Sequence, residues 1–397
     1  MSYRFYQSVM KILLRVIKYP EQQIINDAGA IKVIPDILKE QRINRICIFC
    51  SKTVRRHGLL DELFKGLENA QIVYTVFEDI HPNTTIQNVE DGYKVYIKNQ
   101  CQGIVAIGGG SVLDCAKIVG IKVSNRKMSY DKMKKMTTQK KPNPCTIAVP
   151  TTAGTGSEST VAGVVTDTDK KEKYAIISLP SLPRFVILDP NLTLALPPSI
   201  TAYTGMDALT HAIEAYIGNF GTNYTNAEAL KAIQLIFENL TKAYEDGGQV
   251  DVRNQMLIAS NCAAKAFTRA YTGYVHTISH ALSALYDVGH GKTNAIVLPY
   301  VLKYYGDTIT KKLAAIAVYT GIGTDKEDEK VLAQRVIQRI ESMNKAMNIP
   351  DKVEELREKD VDIIVAKALK EANPAYPVPK IMNEQDCTAI VRQLFIE

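Results

Sequence analysis

Up to about residue 190, short apolar runs alternate with helical patterns, and beyond that point strand-like runs all but vanish. RICIFC (45–50), QIVYTVF (71–77), GIVAIG (103–108), TIAVP (146–150) and RFVILDP (184–190) read as buried strands. Helix-like stretches lie between them, around 54–69, 85–99 and 111–121. Such alternation builds a parallel sheet covered by helices. After Leu196-Pro197-Pro198 the pattern is helix after helix: 206–217, 224–245, 251–268, 274–286, 293–304, 308–320 and 329–346. The expected fold is an α/β domain over 1–195 and an all-α domain over 196–397. A chain of 397 residues exceeds one ordinary core, in keeping with two domains.

Composition removes several function classes. The net charge is only +6, from 48 basic and 42 acidic residues, and the basic residues are scattered. A nucleic-acid binder shows a stronger basic stripe with interleaved aromatics, so no nucleic-acid partner is expected. No apolar run is long enough to span a bilayer, and no membrane partner is expected. SVMKILLRVIKYP near the start carries Lys11, Arg15 and Lys18 and lacks a small-residue cleavage site. It reads as an amphipathic segment and not as a signal peptide. Seven widely spaced cysteines suit a reducing cytoplasm better than a disulfide scaffold. Cys47-x-x-Cys50 lies within a strand pattern, where positions three apart face opposite ways, so packing explains it better than redox chemistry.

GIVAIGGGSVLDCAK (103–117) reads as strand, glycine triplet and helix. Glycines let the backbone turn sharply and approach a ligand, and the helix behind them offers unpaired N–H groups to a phosphate. A plainer explanation is a helix cap, since Ser111 and Asp114 imitate a capping box. VPTTAGTGSEST (149–160) is a second loop leaving a strand, rich in hydroxyls and glycine. Loops at the carboxyl ends of parallel strands are where α/β sheets bind ligands. Together the two loops point to a nucleotide.

Four of the six histidines fall between positions 211 and 290. Asp207 and His211 are four apart on one helix face, as are His276 and His280, and His290 follows between two glycines. Each alone is more often a satisfied core or surface residue. As a set, imidazoles and a carboxylate point to a divalent transition metal. Spacing leaves open which of them bind it directly.

These residues also resemble the iron-containing (group III) alcohol dehydrogenases. The matches are GGGSVLDCAK (108–117), PTTAGTGSE (150–158), DPNLT…LPP…TAYTGMDALTHAIEAY (189–216) and GYVHTISHALSALYDVGHG (273–291), in family order from roughly residue 25 onward. The resemblance implies a dinucleotide-binding α/β domain, a helical domain and a site in the cleft. It implies metal ligation by Asp207, His211, His276 and His290, with His280 near the nicotinamide but not on the metal. Iron is the first expectation for the metal and zinc the second. Cofactor positions carry over as Asn83, Gly109, Gly110, Ser111, Asp114, Thr151, Thr152, Thr155, Thr160 and Lys173. Val161, Ala162, Phe267 and the segment 373–380 are wall candidates. A homodimer is a family-level expectation.

Where many family members have an acid after the first strand, this chain has Ser51, followed by Lys52, Arg55 and Arg56. An acid there repels a 2′-phosphate, so its replacement favours NADP(H) over NAD(H). The expected reaction is hydride transfer between a small primary alcohol or diol and NAD(P), or the reverse on an aldehyde. The rivals are a glycerol-dehydrogenase-like polyol oxidation, a dehydroquinate-synthase-like enzyme and a non-catalytic binding protein. The four-residue ligand pattern and the intact glycine loop argue against them.

Overall fold

The structure is a computed structural model that describes residues 3–135, 141–170 and 172–396. It opens on helix α1 (Tyr3–Arg15). Lys18–Ala195 then form one compact unit. Its strands are β1 (Gln23–Asn26), β2 (Arg45–Cys50), β3 (Val73–Phe77), β4 (Gly103–Gly108), β5 (Cys145–Pro150), β6 (Ala162–Asp167), β7 (Glu172–Ile177) and β8 (Phe185–Leu188). Six of them form a parallel sheet in the order β1-β8-β5-β4-β2-β3, while β6 and β7 pair as an antiparallel hairpin. Helices α2 (Ile34–Glu40), α3 (Lys52–Arg56), α4 (Asp61–Asn69), α5 (Ile86–Lys98), α6 (Gly110–Ser124) and α7 (Tyr130–Met133) complete the unit.

The strand period of two sorts the side chains into two cores. Ile46, Ile48, Cys50, Val105 and Ile107 fill one, and Cys47, Phe49, Ile104 and Ala106 the other. Cys47 and Cys50 therefore face opposite sides of β2, and all seven cysteines are free thiols. The chain runs from β2 outward to β3, then crosses back to β4 on the other side of β2. This reversal opens a crevice at the carboxyl ends of β2 and β4, the usual ligand position in such sheets.

Met1–Ile17 and Leu196–Glu397 form the second unit. It holds α8 (Pro198–Ile217), α9 (Asn223–Glu245), α10 (Val250–Ala270), α11 (Tyr274–Tyr286), α12 (His290–Tyr305), α13 (Thr310–Tyr319), α14 (Glu329–Ala346), α15 (Val361–Ala372) and α16 (Glu384–Arg392). Helix α8 is buried on nearly every side, as its small and apolar residues require. Two glycines allow its close neighbours. A Cβ at Gly205 would lie 2.2 Å from Leu240 of α9, and one at Gly291 would lie 2.3 Å from the Tyr203 carbonyl oxygen.

Some elements differ from the sequence expectation. The stretch 54–69 breaks into α3 and α4 because Gly58, at φ 67°, turns the chain. The β6–β7 hairpin and helices α7, α15 and α16 were not foreseen. The first residues, expected with the α/β domain, group with the helical unit. Arg4 donates to the Val378 and Pro379 carbonyls at 2.7 Å each, and the buried Gln7 donates to the Tyr376 carbonyl at 2.6 Å. The sequence marked this segment as amphipathic but did not reveal its purpose or what it packs against.

The contact at Gly291 gives a prediction. Gly291→Ala forces a methyl against backbone of α8 and should cost about 1–3 kcal/mol of stability by overpacking. Urea unfolding with unchanged slope would measure it; an unchanged midpoint contradicts the packing described.

Candidate metal centre and cofactor loops

Asp207, His211 and Glu214 lie on α8 at spacings of four and three, so all three project from one buried face. Helix α11 supplies His276 and His280, and α12 supplies His290 and Asn294. Ligand atoms of Asp207, His276 and His290 lie within 4.8 Å of one another. Asp207 Oδ1 is 3.9 Å from His276 Nε2 and 3.6 Å from His290 Nε2. The Asn294 amide donates to Asp207 Oδ1 at 2.7 Å and sits 3.0 Å from His290 Nε2.

Glu214 fixes the deepest imidazole. Its carboxylate accepts the Gly273 and Val275 amides at 2.8 Å each and the His276 Nδ1–H at 2.6 Å. Burial pushes the Glu214 carboxyl up to about 8, against the opposing pull of these donors. His276 is held well below its ordinary value by burial and by the neighbouring His211, His290 and His280, so its ring is neutral. With the proton on Nδ1, the lone pair is on Nε2. That atom is buried and has no hydrogen-bond partner among the described residues. An orphaned buried acceptor beside a carboxylate and a second imidazole is what an N/O-coordinated divalent cation requires. The donors present fit the metal.

His211 stands slightly apart. Its ring stacks on Phe267 at 4.1 Å and faces His276 at 4.4 Å, but its nitrogens are not among the converging atoms. His280 stacks on His290 at 4.8 Å, and its Nδ1 bonds to Glu371 Oε1 at 2.7 Å.

In the other unit, most of the expected cofactor residues follow the carboxyl ends of sheet strands. Ser51 follows β2, Asn83 lies beyond β3, Gly109, Gly110 and Ser111 follow β4, and Thr151, Thr152 and Thr155 follow β5. A Cβ at Gly110 would meet Thr155 at 2.8 Å, so the two loops abut. The imagined capping box is absent: Gly109 is the N-cap of α6, and no side chain caps the helix. Its first amides are thus suited to an anion. Lys173 Nζ donates to Asn83 Oδ1 at 2.9 Å.

Asp114 and Thr160 have inward partners. Asp114 accepts from Ser157 Oγ and from the Val164 amide, and lies 3.3 Å from Lys117 Nζ. Lys117 is buried and donates to Ser157 O at 2.8 Å, to Thr160 Oγ1 at 2.9 Å and to Ala162 O. Sequence reasoning missed Lys117, Glu214, Asn294 and Glu371. Glu214 and Asn294 carried a signal, lying at helical spacing from His211 and His290. Lys117 stood inside an apolar helix run, a place lysine rarely takes unpaired. Glu371 carried none.

The family model "Iron-containing alcohol dehydrogenase" matches residues 20–190, and "Fe-containing alcohol dehydrogenase family, C-terminal" matches residues 201–395. The 1,3-propanediol dehydrogenase of Citrobacter freundii is 38% identical over 373 residues, covering 92% of this chain and 95% of that protein. The NAD-dependent methanol dehydrogenase of Bacillus methanolicus is 33% identical, covering 92% of this chain and 96% of that protein. A crystal structure of a 1,3-propanediol oxidoreductase superposes with a TM-score of 0.91 at 35% identity, covering 96% of this chain and all of that one. These relatives do not favour the glycerol-type polyol alternative.

The Glu214 geometry predicts that Glu214→Gln lowers metal affinity by about 10- to 100-fold, the usual effect of removing a carboxylate that orients a ligating imidazole. Chelator competition read by elemental analysis would measure it, and wild-type affinity in the variant would contradict the assignment.

Proposed function

The chain belongs to the iron-containing alcohol dehydrogenase family and is an NAD(P)-dependent oxidoreductase acting on alcohols and aldehydes, and from that premise we propose how its own residues serve the reaction. The reading rests on one observation above the others: Asp207 and His290 converge on the unpartnered Nε2 of His276. In our reading Asp207, His276 and His290 hold the metal, with His211 as the fourth ligand. Iron is the first candidate, in keeping with the family, and zinc the second, since nitrogen and oxygen donors serve both. When bound, the metal supplies Lewis acidity at the substrate oxygen and the nicotinamide supplies the hydride chemistry.

The remaining work falls to the protein. Asp207 brings a negative charge that offsets part of the cation's. Glu214 holds the His276 proton on Nδ1 and so keeps Nε2 available. Glu371 does the same for His280, leaving His280 Nε2 to take the hydroxyl proton and pass it outward. Gly109, Gly110 and Ser111 offer amides to the pyrophosphate, and Thr151, Thr152 and Thr155 line the adjoining loop. Asn83 and Lys173 serve as a rim pair. Asp114 and Thr160 act through Lys117, which ties the threonine loop to α6.

NADP(H) is our favoured cofactor, because Ser51 carries no charge to repel a 2′-phosphate. Its hydroxyl caps α3 by accepting the Val54 amide at 3.2 Å. Two of the nearby cations are already engaged: Lys52 pairs with Asp79 and Arg55 with Glu78, each at 2.9 Å. A 2′-phosphate must compete with those acids. No described helix is long and apolar enough to cross a membrane. A cytoplasmic setting is part of the proposal, supported by the seven free thiols. So is a homodimer, supported by the exposed Phe5, Val9, Ile12 and Val16 on and just after α1.

Two outcomes test this reading. Protein stripped of metal should reduce butyraldehyde with neither NADPH nor NADH and should recover on reloading with Fe²⁺ or Zn²⁺; full activity in the stripped protein contradicts it. Asp79→Asn should raise the NADPH-to-NADH ratio of kcat/KM by about fivefold, a scale set by exposed ion pairs. A ratio that stays fixed removes Lys52 from cofactor selection.

A further inference from the structure

The metal centre has a closed back and an open mouth. The side chains of Asp207, His276 and Glu214 are only 4%, 3% and 1% exposed. Those of His290, Glu371 and His280 are 29%, 36% and 41% exposed, and they form one continuous line of contacts. At the end of that line is a carboxylate whose Oε1 holds His280 and whose Oε2 the reaction itself does not require.

We infer that Glu371 is a specificity-determining residue: it accepts a hydrogen bond from a second hydroxyl of the substrate, which makes short diols and hydroxyaldehydes the substrate class. The inference rests on the reaction proposed above for the same site. Glu371 lies on the last turn of α15, and its two side-chain hydrogen bonds to described residues both end on one oxygen. Oε1 takes the His280 Nδ1–H at 2.7 Å and the Tyr376 hydroxyl at 3.1 Å. A carboxylate has about four acceptor positions, so Oε2 keeps its capacity for a donor. The His280 ring that Glu371 holds stacks on His290 at 4.8 Å, so the carboxylate lies one imidazole beyond a proposed metal ligand.

The carboxylate is also held in place. Tyr376 belongs to the loop whose carbonyls at 374, 376, 378 and 379 accept from Gln7 and Arg4 of α1. Helix α1 thereby fixes the loop, the loop fixes Tyr376, and Tyr376 and His280 fix Glu371. An acceptor fixed in advance discriminates between ligands better than a mobile one. A plain alkanol leaves this acceptor without a substrate donor. A substrate ending in a carboxylate or sulfonate is repelled by it.

The test compares 1,3-propanediol with 1-propanol on wild type, Glu371→Gln and Glu371→Ala, each loaded with the metal that supports activity. Wild type should favour the diol by roughly tenfold or more in kcat/KM, as a charged acceptor implies. Glu371→Ala should slow both alcohols through loss of the His280 anchor but slow the diol by roughly tenfold more, so that the preference disappears, and 3-hydroxypropionate should gain relative to 1-propanol. Tyr376→Phe, which frees the carboxylate without removing it, should weaken the preference partially. Saturation-transfer NMR of the diol on zinc-loaded protein without cofactor gives a readout independent of turnover, and its signal should fall in Glu371→Ala. Equal losses on both alcohols would overturn the inference and leave Glu371 as a holder of His280. Wild type inert on both alcohols would instead overturn the dehydrogenase reading beneath it.

Discussion

One buried carboxylate decides how the helical unit can be built. Glu214 on α8 accepts two backbone amides at the start of α11 and the Nδ1 proton of His276. The first turn of any helix carries amides with no partner inside the helix, and its positive dipole end favours an anion. Glu214 satisfies both needs and in the same act chooses the tautomer of the imidazole that follows. A Cβ at Gly273 would lie 2.8 Å from the Glu214 carboxylate, so this position must be glycine for the approach to occur. The position of α11 and the direction of the His276 Nε2 are thus consequences of one interaction, while the ring's neutrality comes from burial and the neighbouring imidazoles.

Much of this was legible in sequence. Strand periodicity located β2 and β4 to the residue, because a strand buried on both faces is a short apolar run bounded by breaks. Asp207, His211, His276 and His280 stood out because polar groups at helical spacing in an apolar setting need partners, and His290 followed close by between two glycines. The hairpin β6–β7 was not legible: its strands mix exposed and buried residues, and its turn carries no strong signal. Glu371 was hidden for a different reason. It meets His280 across 91 positions, and nothing local to α15 marks it. Asp114 and Thr160 show the limit of reading roles from motifs. Both belong to the expected cofactor stretches, yet their partners are Lys117, Ser157 and Val164.

The α/β unit solves a parallel problem with a cation. Lys117 is buried against the carbonyls of the threonine loop, with Asp114 beside it. Burial lowers its proton affinity, while Asp114 and Glu158 act the other way. A charge so placed is retained only with partners on every side. Here the partners are the backbone of the loop that faces the glycine turn, so the loop's shape is set from beneath. Each unit thus places a buried ionic group behind the surface that our proposal assigns to a ligand.

The central claim is that Asp207, His276 and His290 bind a metal through oxygen and nitrogen alone. X-ray absorption spectroscopy at the metal edge of the iron- or zinc-loaded protein tests it most directly. The account predicts a first shell of nitrogen and oxygen with outer scattering from at least two imidazoles, lost in His276→Ala. A shell containing sulfur, or one unchanged in His276→Ala, would contradict it.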